Sequence, residues 1–332
     1  MIRRPSLVRS GKPLGELVAA AARHLSIPAA YVEKDFWAME VLRSVSTPRT
    51  VTLNDKVTPV QIIFKGGTSL SRAFKITERF SEDIDIIAVF DPSVGAGTRN
   101  TALKGICNDA QAHLGLPESK RILVESTTGF KRNVRFSYPR TSQSAGETES
   151  VLLEMGTRGG PTPSEMRMVQ SLLAEYAIGI AGESSDAWDE FVPFEVTVLA
   201  PERTLLEKMS RLHAGAVQFL KNGDDEILRG SGRHLYDVCL VLQHERTLSS
   251  LRTLGEAGVS DLCADIDSRS EKAGWPYEPR PAAGFGSSPL LIDPSCAQPL
   301  RIGYETARAL IHGRRPSFEE CLDTISRNSS LL

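Results

Sequence analysis

The sequence has few of the residues that would indicate a disulfide framework, a zinc site or a membrane span. Its 332 residues include five cysteines, and no two of them form a Cys-x-x-Cys pair. An odd number of widely spaced cysteines argues against a complete disulfide framework. We therefore expect the cysteines to be small side chains of the core. No apolar run reaches the ~18 residues of a membrane helix, and none near the start suits a secretion signal. We therefore expect a cytoplasmic protein that does not contact a membrane.

An excess of charge of either sign is also missing. The formal net charge is −2, so nucleic acid would have to be bound by a local patch rather than by a globally basic surface. One candidate patch contains Lys120, Arg121, Lys131, Arg132, Arg135 and Arg140. Two interpretations stay open for it: a nucleic-acid contact, or an ordinary solvated basic surface.

What the sequence does contain is an ordinary globular composition, with 41% hydrophobic and 24% charged residues. Its apolar periodicity predicts a mixture of helices and strands. The predicted strands cover residues 61–64, 121–125, 133–138, 150–155 and 194–199, with a further one beginning at residue 83. The main predicted helices cover residues 14–24, 102–114, 304–311 and 317–325, with others beginning near residues 28, 68, 201 and 233. Ser26 and Ser317 are the expected helix caps, 141–149 an expected hairpin-like connection, and 273–300 an expected surface connection.

The stretch from Lys65 to Ser69 joins a short apolar strand to a helix through two glycines. Glycine lets the backbone turn sharply and lets a ligand approach closely. The free N–H groups of a first helical turn favour a phosphate, and the hydroxyls of Thr68 and Ser69 add donors. A tight turn with a helix cap gives the same pattern, so this segment alone does not decide between the two.

Asp83 and Asp85 alternate with isoleucines in the next predicted strand. Alternation places both carboxylates on one face, with Ile84 and Ile86 on the other. Two adjacent carboxylates repel each other unless a cation lies between them, and hard oxygen ligands suit Mg²⁺. A solvated strand end explains the pattern less well, because the flanking isoleucines indicate a central strand.

Three downstream residues extend this hypothesis. Glu154 is one acid in an otherwise apolar strand, and a third metal carboxylate is favoured over a salt bridge. Lys208 lies beside the core face of a helix, where it either reaches a triphosphate or is solvated. Asp237 is either a surface partner of Arg233 at i,i+4 spacing, or an inward acid that orients Lys208 or acts as a base.

These residues together resemble the AbiEii/AbiGii-type nucleotidyltransferase toxins, a branch of the DNA polymerase β-like nucleotidyltransferase superfamily. The first motif of that family is similar to Lys65-Gly66-Gly67-Thr68-Ser69-Leu70 followed by Arg79-Phe80-Ser81-Glu82-Asp83-Ile84-Asp85. The other matching segments are Leu153–Gly156, Thr204–Lys208, Arg233–Asp237 and the flanks Tyr31–Trp37 and Gly313–Glu320. They occur in family order and span nearly the whole chain.

The resemblance implies an α+β fold: a polymerase β-like core, with a mixed sheet flanked by helices, and an α-helical C-terminal region. We expect N-terminal helices and the core over residues 1–200, and a helical domain that completes the active site over residues 201–332. The implied catalytic residues are Asp83, Asp85, Glu154, Lys208 and Asp237, the first three of them as ligands of Mg²⁺ or Mn²⁺. The implied nucleotide-binding residues are Lys65, Gly66, Gly67, Thr68, Ser69, Ser81 and Lys208.

The implied activity is that of a toxin in a type IV toxin–antitoxin or phage-defence system. It transfers a nucleoside monophosphate from an NTP to an acceptor, and we expect the 3′ end of tRNA, so that translation stops. Two alternatives stay open: transfer to a protein or small molecule, and a non-catalytic nucleotide-binding protein on the same scaffold. We expect a monomer with a cognate antitoxin encoded nearby. The preferred NTP, the choice of Glu154 or Asp237 as the base and the role of residues 273–300 stay open.

Overall fold

The computed structural model of the protein describes residues 5–10, 12–53, 55–81, 83–141 and 150–332, and only the backbone of residues 9, 10 and 12. The strands in these residues are β1 (Arg49–Leu53), β2 (Lys56–Lys65), β3 (Asp83–Val89), β4 (Arg121–Thr127), β5 (Lys131–Ser137), β6 (Ser150–Gly156), β7 (Ser164–Val169) and β8 (Phe194–Leu199). The helices are α1 (Leu7–Ser10), α2 (Lys12–Leu25), α3 (Ala29–Val45), α4 (Gly66–Arg72), α5 (Ala96–His113), α6 (Leu172–Gly179), α7 (Pro201–Asn222), α8 (Glu226–Arg229), α9 (Gly232–Val241), α10 (Glu245–Ala273), α11 (Pro289–Ile292), α12 (Ala297–Ala307) and α13 (Phe318–Arg327). Apart from Thr141, the expected connection over residues 141–149 lies outside the described residues.

The chain folds into two compact units, each built from three segments. The first unit consists of Met1–Ala73, Glu82–Thr157 and Ser164–Val198, as far as these ranges are described. The second consists of Phe74–Ser81, Arg158–Pro163 and Leu199–Leu332.

The first unit is built around one mixed sheet of the eight described strands. The strand order is β4-β5-β6-β3-β2-β8-β7, and β1 pairs with β2 outside this path. Strand β3 pairs antiparallel with β2 and parallel with β6, while β5 pairs antiparallel with both β4 and β6. The predicted mixed sheet with flanking helices is therefore confirmed, and the chain has an α+β fold.

The apolar residues of the central strands explain which face of the sheet is covered. In β3, Ile84 and Ile86 are buried while Asp83 and Asp85 on the other face are half-buried, as their alternation predicts. Helices α3 and α5 pack against the strands of this sheet. Helix α3 begins at Ala29 with Pro28 at its N-cap and no capping side chain. The predicted cap at Ser26 is therefore wrong, because Ser26 takes a positive φ of 56° and ends the preceding turn.

The second unit is helical, and its longest helices are α7 and α10. The backbone of α10 leaves helical geometry at Gly255, where φ is 63° and ψ is −178°. Ser317 caps α13 by accepting a hydrogen bond from the Glu320 backbone N–H, as predicted.

Residues 273–300 are more ordered than their glycine and proline content indicates. The segment contains α11, two short 3₁₀ helices and the start of α12. Its apolar side chains Phe285, Leu290 and Leu300 are buried. The prediction of a surface connection is therefore wrong, because proline here begins short helices instead of preventing them.

All five cysteines are free and buried, as expected of small core side chains. None of the described helices combines the length and the apolarity that crossing a membrane requires.

Candidate active site

The first unit brings together three carboxylates, Asp83, Asp85 and Glu154, which we call the carboxylate cluster. In the parallel pairing of β3 with β6, Asp85 lies directly opposite Glu154. Asp83 is two residues away on the same strand face. The cluster is therefore built by strand register, and all three side chains are half-buried.

The row of residues across the sheet continues on both sides of this cluster. Asn133 of β5 lies opposite Glu154, and Lys65 of β2 lies opposite Asp85. The Asn133 Nδ2 donates a hydrogen bond to Glu154 Oε1 at 2.9 Å. One row therefore holds an amide, two carboxylates and a lysine, all from neighbouring strands.

Gly66, at the turn between β2 and α4, lies against the carboxylate cluster. Its φ is +78°, and a Cβ built on it would be 2.1 Å from Asp85 Oδ2. Both facts require glycine, because other residues rarely adopt this φ and any side chain would displace the carboxylate. The sequence predicts that a ligand can approach this glycine closely. In the structure the group that lies against Gly66 is the Asp85 carboxylate.

The electrostatics of the cluster are visible in Glu154. Burial raises the pKa of Glu154 to about 7, and the negative charges of Asp85 and Asp83 add to this effect. Lys131 opposes it in part. Three carboxylates so arranged therefore cannot all ionise near neutral pH without a cost in free energy.

The donor set of the cluster suits Mg²⁺. Its hard oxygen atoms are accompanied by Asn133 Oδ1, which is buried and has no hydrogen-bond partner among the described residues. In that part of the chain, no three Asp, Glu, His or Cys side chains are arranged as a ready-made metal site. Proteins usually hold Mg²⁺ with one or two carboxylates, while water and substrate phosphates complete the shell.

The second unit contains another charged group, formed by Arg79, Lys208, His234 and Asp237, which we call the lysine cluster. Asp237 of α9 is fully buried, and its Oδ2 is 2.9 Å from Lys208 Nζ of α7. The Arg79 guanidinium donates to both carboxylate oxygens, at 2.6 and 2.7 Å. Asp237 is therefore an acid that faces inward. Because Asp237 is buried, the alternative of a surface pair with Arg233 is excluded.

These contacts set the ionisation of the lysine cluster. Burial would raise the pKa of Asp237, but the charges of Arg79 and Lys208 and their hydrogen bonds hold it well below its ordinary value. Burial lowers the pKa of His234, and the charge of Lys208 lowers it further. His234 is therefore neutral, and its Nδ1 accepts a hydrogen bond from Lys208 Nζ at 3.1 Å.

Two members of the lysine cluster were not assigned a role from the sequence. Arg79 lies 158 residues before Asp237, so no local spacing connects them. His234 precedes Asp237 by three residues on α9, and this helical spacing was a usable signal for a shared face. Arg79 and Lys208 are cationic and Asp237 is the one carboxylate of the lysine cluster, so this cluster has a net positive charge.

The predicted phosphate-binding residues are less accessible to a ligand than the sequence predicts. The Thr68 hydroxyl donates to the Asp83 carbonyl, and the Ser69 hydroxyl donates to the Gly66 carbonyl, both at 2.8 Å. Both side chains are buried, as is Gly67. Ser81 is half-buried and belongs to the second unit. In this conformation the two α4 hydroxyls hold the turn and the β3 backbone, so neither donates to a ligand.

Comparison with known proteins gives one finding that bears on both clusters. A family model described as the nucleotidyl transferase AbiEii toxin of type IV toxin–antitoxin systems matches residues 53–278. This range contains every residue of the carboxylate cluster and of the lysine cluster. No curated protein matches the sequence.

Proposed function

The chain belongs to the AbiEii nucleotidyl transferase toxin family of type IV toxin–antitoxin systems, and we propose that it transfers a nucleoside monophosphate from an NTP to the 3′ end of tRNA. The observation that supports this best is the carboxylate cluster, in which strand register sets Asp83, Asp85 and Glu154 side by side. Blocked tRNA would stop translation, and we propose the cytoplasm as the place of action because tRNA and NTPs are there.

Asp83 and Asp85 are the residues we propose for binding Mg²⁺ or Mn²⁺ together with the nucleotide. When bound, the ion would supply positive charge that neutralises the phosphates while the acceptor hydroxyl attacks the α-phosphorus and pyrophosphate leaves. Gly66 leaves room for the Asp85 carboxylate, and Thr68 holds the β3 backbone at Asp83. The role of these neighbours is to orient the carboxylates before the nucleotide arrives.

Glu154 is the residue we propose for accepting the proton of the attacking hydroxyl. It lies directly opposite Asp85 in the pairing of β3 with β6, so its carboxylate is beside the place where the two aspartates would hold the ion and the nucleotide. Asp237 is less suited, because Arg79 and Lys208 occupy both of its oxygen atoms and keep its pKa low. We propose instead that Asp237 orients Lys208, and that the Lys208 ammonium is suited to bind phosphate as a point charge.

The experiment that tests this proposal uses the full chain with each α-labelled NTP, Mg²⁺ and total RNA. We expect label on tRNA, located at its 3′ end by nuclease digestion. Asp83→Asn should reduce transfer by at least about 10²-fold, the usual loss when a main electrostatic stabiliser is removed. Glu195→Gln is the matched control, because it neutralises an exposed carboxylate on β8 of the same sheet.

The other outcomes separate the alternatives. Label on protein or on a small molecule would replace the tRNA acceptor while keeping the transfer chemistry. Nucleotide binding without any transfer would support a non-catalytic protein on the same scaffold. An Asp83→Asn variant that folds and keeps full activity would overturn the role of the carboxylate cluster.

The family also implies an antitoxin partner. We propose that expression of the chain alone arrests growth, and that co-expression with a small neighbouring gene restores it. The folded Asp83→Asn variant should not arrest growth, while Glu195→Gln should. Arrest by both variants would separate toxicity from the proposed transfer.

A further inference from the structure

The first unit contains a pocket that lies outside the carboxylate cluster and is lined in part by Arg121 and Arg132 of the candidate basic patch. It lies between α5 and strands β4 and β5, with a volume of about 250 Å³. Its polar lining includes Lys104, Arg121, Arg132 and Glu118, and its apolar floor includes Cys107 and Val134. This is enough space for a phosphate group and part of what carries it.

The lining carries an excess of positive charge. Three of its side chains are cationic, and the one carboxylate, Glu118, is 89% exposed and 3.9 Å from the Arg121 Nη2. Solvent screens such an exposed pair strongly. Because the whole chain has a net charge of −2, this concentration of cations is a local property and points to an anionic ligand.

Arg132 is incompletely satisfied without a ligand. Its Nε atom is buried and has no hydrogen-bond partner among the described residues. Buried donors without partners are rare in folded proteins, and each calls for a reason. The Arg132 guanidinium also interacts with the Cys107 thiol, whose pKa is raised by burial and lowered in part by that arginine.

Arg121 is already held in place. Its Nη1 donates to Asn108 Oδ1 at 2.5 Å, so less side-chain entropy is lost when a ligand binds. Guanidinium groups present paired N–H donors that match the geometry of phosphate oxygens. The pocket is therefore lined by two guanidinium groups, one of them already fixed, and this is the chemistry of a phosphate site.

The strand register separates this pocket from the carboxylate cluster. Asn133 lies opposite Glu154 and shares its face of the sheet. Arg132 is the next residue along β5, so its side chain points to the other face. A ligand in the pocket is thus on the opposite side of the sheet from an NTP held by the carboxylates.

We propose that this pocket is a second binding site, specific for a phosphate group, and independent of the transfer reaction. The phosphate comes either from the backbone of an RNA that extends around the sheet edge at β4, or from a free nucleotide or inorganic phosphate. Both sources use the same guanidinium contacts, and the experiment below distinguishes them.

The test follows the arginine Nε–Hε NMR signals of the ¹⁵N-labelled full chain in EDTA at constant ionic strength. Sodium phosphate, ATP and a 12-nucleotide single-stranded RNA are titrated separately. We expect the Arg132 signal, assigned with Arg132→Gln, to shift and saturate with at least one probe. Arg132→Gln should raise the dissociation constant of that probe about tenfold, the usual effect of losing a hydrogen bond to a charged group.

Lys120→Gln is the matched control, because it removes the same charge from an exposed residue beside Arg121 that does not line the pocket. If Arg132→Gln does not fold, Arg121→Gln replaces it, since that side chain is 23% exposed. For RNA, each arginine removed should also reduce the slope of log K against log salt by about 0.7.

Saturation by RNA alone identifies a backbone phosphate, and saturation by ATP or inorganic phosphate identifies a small phosphorylated ligand. Either result supports the site whether or not the chain transfers nucleotides. An Arg132 signal that moves with none of the three probes overturns the proposal. Equal weakening by Arg132→Gln and Lys120→Gln also overturns it, because binding would then follow surface charge and not the pocket.

Discussion

Asp85→Asn should make the metal-free protein more stable and less sensitive to pH. In the folded chain Glu154 has a pKa of about 7, compared with an ordinary value of 4.5. A carboxyl with a raised folded pKa binds more protons in the folded than in the unfolded state. Its contribution to stability is therefore present at low pH and is lost as pH rises from about 4.5 to about 7.

The magnitude follows from the size of this difference and from the exposure of Glu154. A rise from 4.5 to about 7 corresponds to roughly 3 kcal/mol at 1.36 kcal/mol per pH unit. Glu154 is only half-buried, so solvent screening reduces this, and we expect the wild type to lose about 1–2 kcal/mol between pH 5 and pH 8. Asp85→Asn removes the larger of the two like-charge effects and should cancel part of that loss, while the effect of burial, which is the largest cause, remains.

The assay is urea unfolding in EDTA at pH 5 and at pH 8, with ¹³C NMR titration of the Glu154 carboxyl as a direct check. The difference between variant and wild type isolates the cluster, because other groups titrate equally in both. Glu195→Gln controls for the loss of one negative charge from the sheet. An Asp85→Asn variant whose pH dependence and Glu154 titration equal those of the wild type would refute the proposed repulsion.

Three further changes test other parts of the structure. Arg79→Leu should lower the free energy of unfolding by about 3 kcal/mol, because Asp237 loses its bidentate partner while buried; a loss below ~1 kcal/mol in urea unfolding would contradict this. Gly66→Ala should reduce nucleotidyl transfer by at least about tenfold by displacing the Asp85 carboxylate, with the far-UV circular dichroism unchanged; retained activity would show that the turn adapts. Ser317→Ala should cost about 1 kcal/mol through loss of the α13 cap, measured by thermal unfolding, and no change would mean that packing alone fixes the start of α13.

Local patterns in the sequence are enough to predict much of the carboxylate cluster. The period of two along β3 correctly placed Asp83 and Asp85 on one face, because burial of the isoleucines leaves no other arrangement. Glu154 was recognised as the one acid in an apolar strand. Its pairing opposite Asp85 depends on strand register, which no pattern within either strand specifies.

Contacts between distant segments were not predictable in the same way. The sequence offered the Thr68 and Ser69 hydroxyls as phosphate donors, and their engagement with backbone carbonyls depends on how α4 packs. Arg79 belongs to the first motif of the resemblance, but nothing in the sequence connects it with Asp237, which lies in a helix far along the chain. The glycine and proline content of residues 273–300 wrongly predicts a surface connection, because such content indicates local flexibility and not burial.

The ion pair of Arg79 with Asp237 also has a consequence for biosynthesis. The two residues are 158 positions apart, and at about 5–20 residues per second the ribosome needs roughly 8–30 s to make the intervening chain. Until residue 237 has been synthesised, Arg79 is therefore without Asp237, its partner in the folded chain. The lysine cluster can form only when synthesis is well advanced, so a ribosome that stops before residue 237 releases a chain without it.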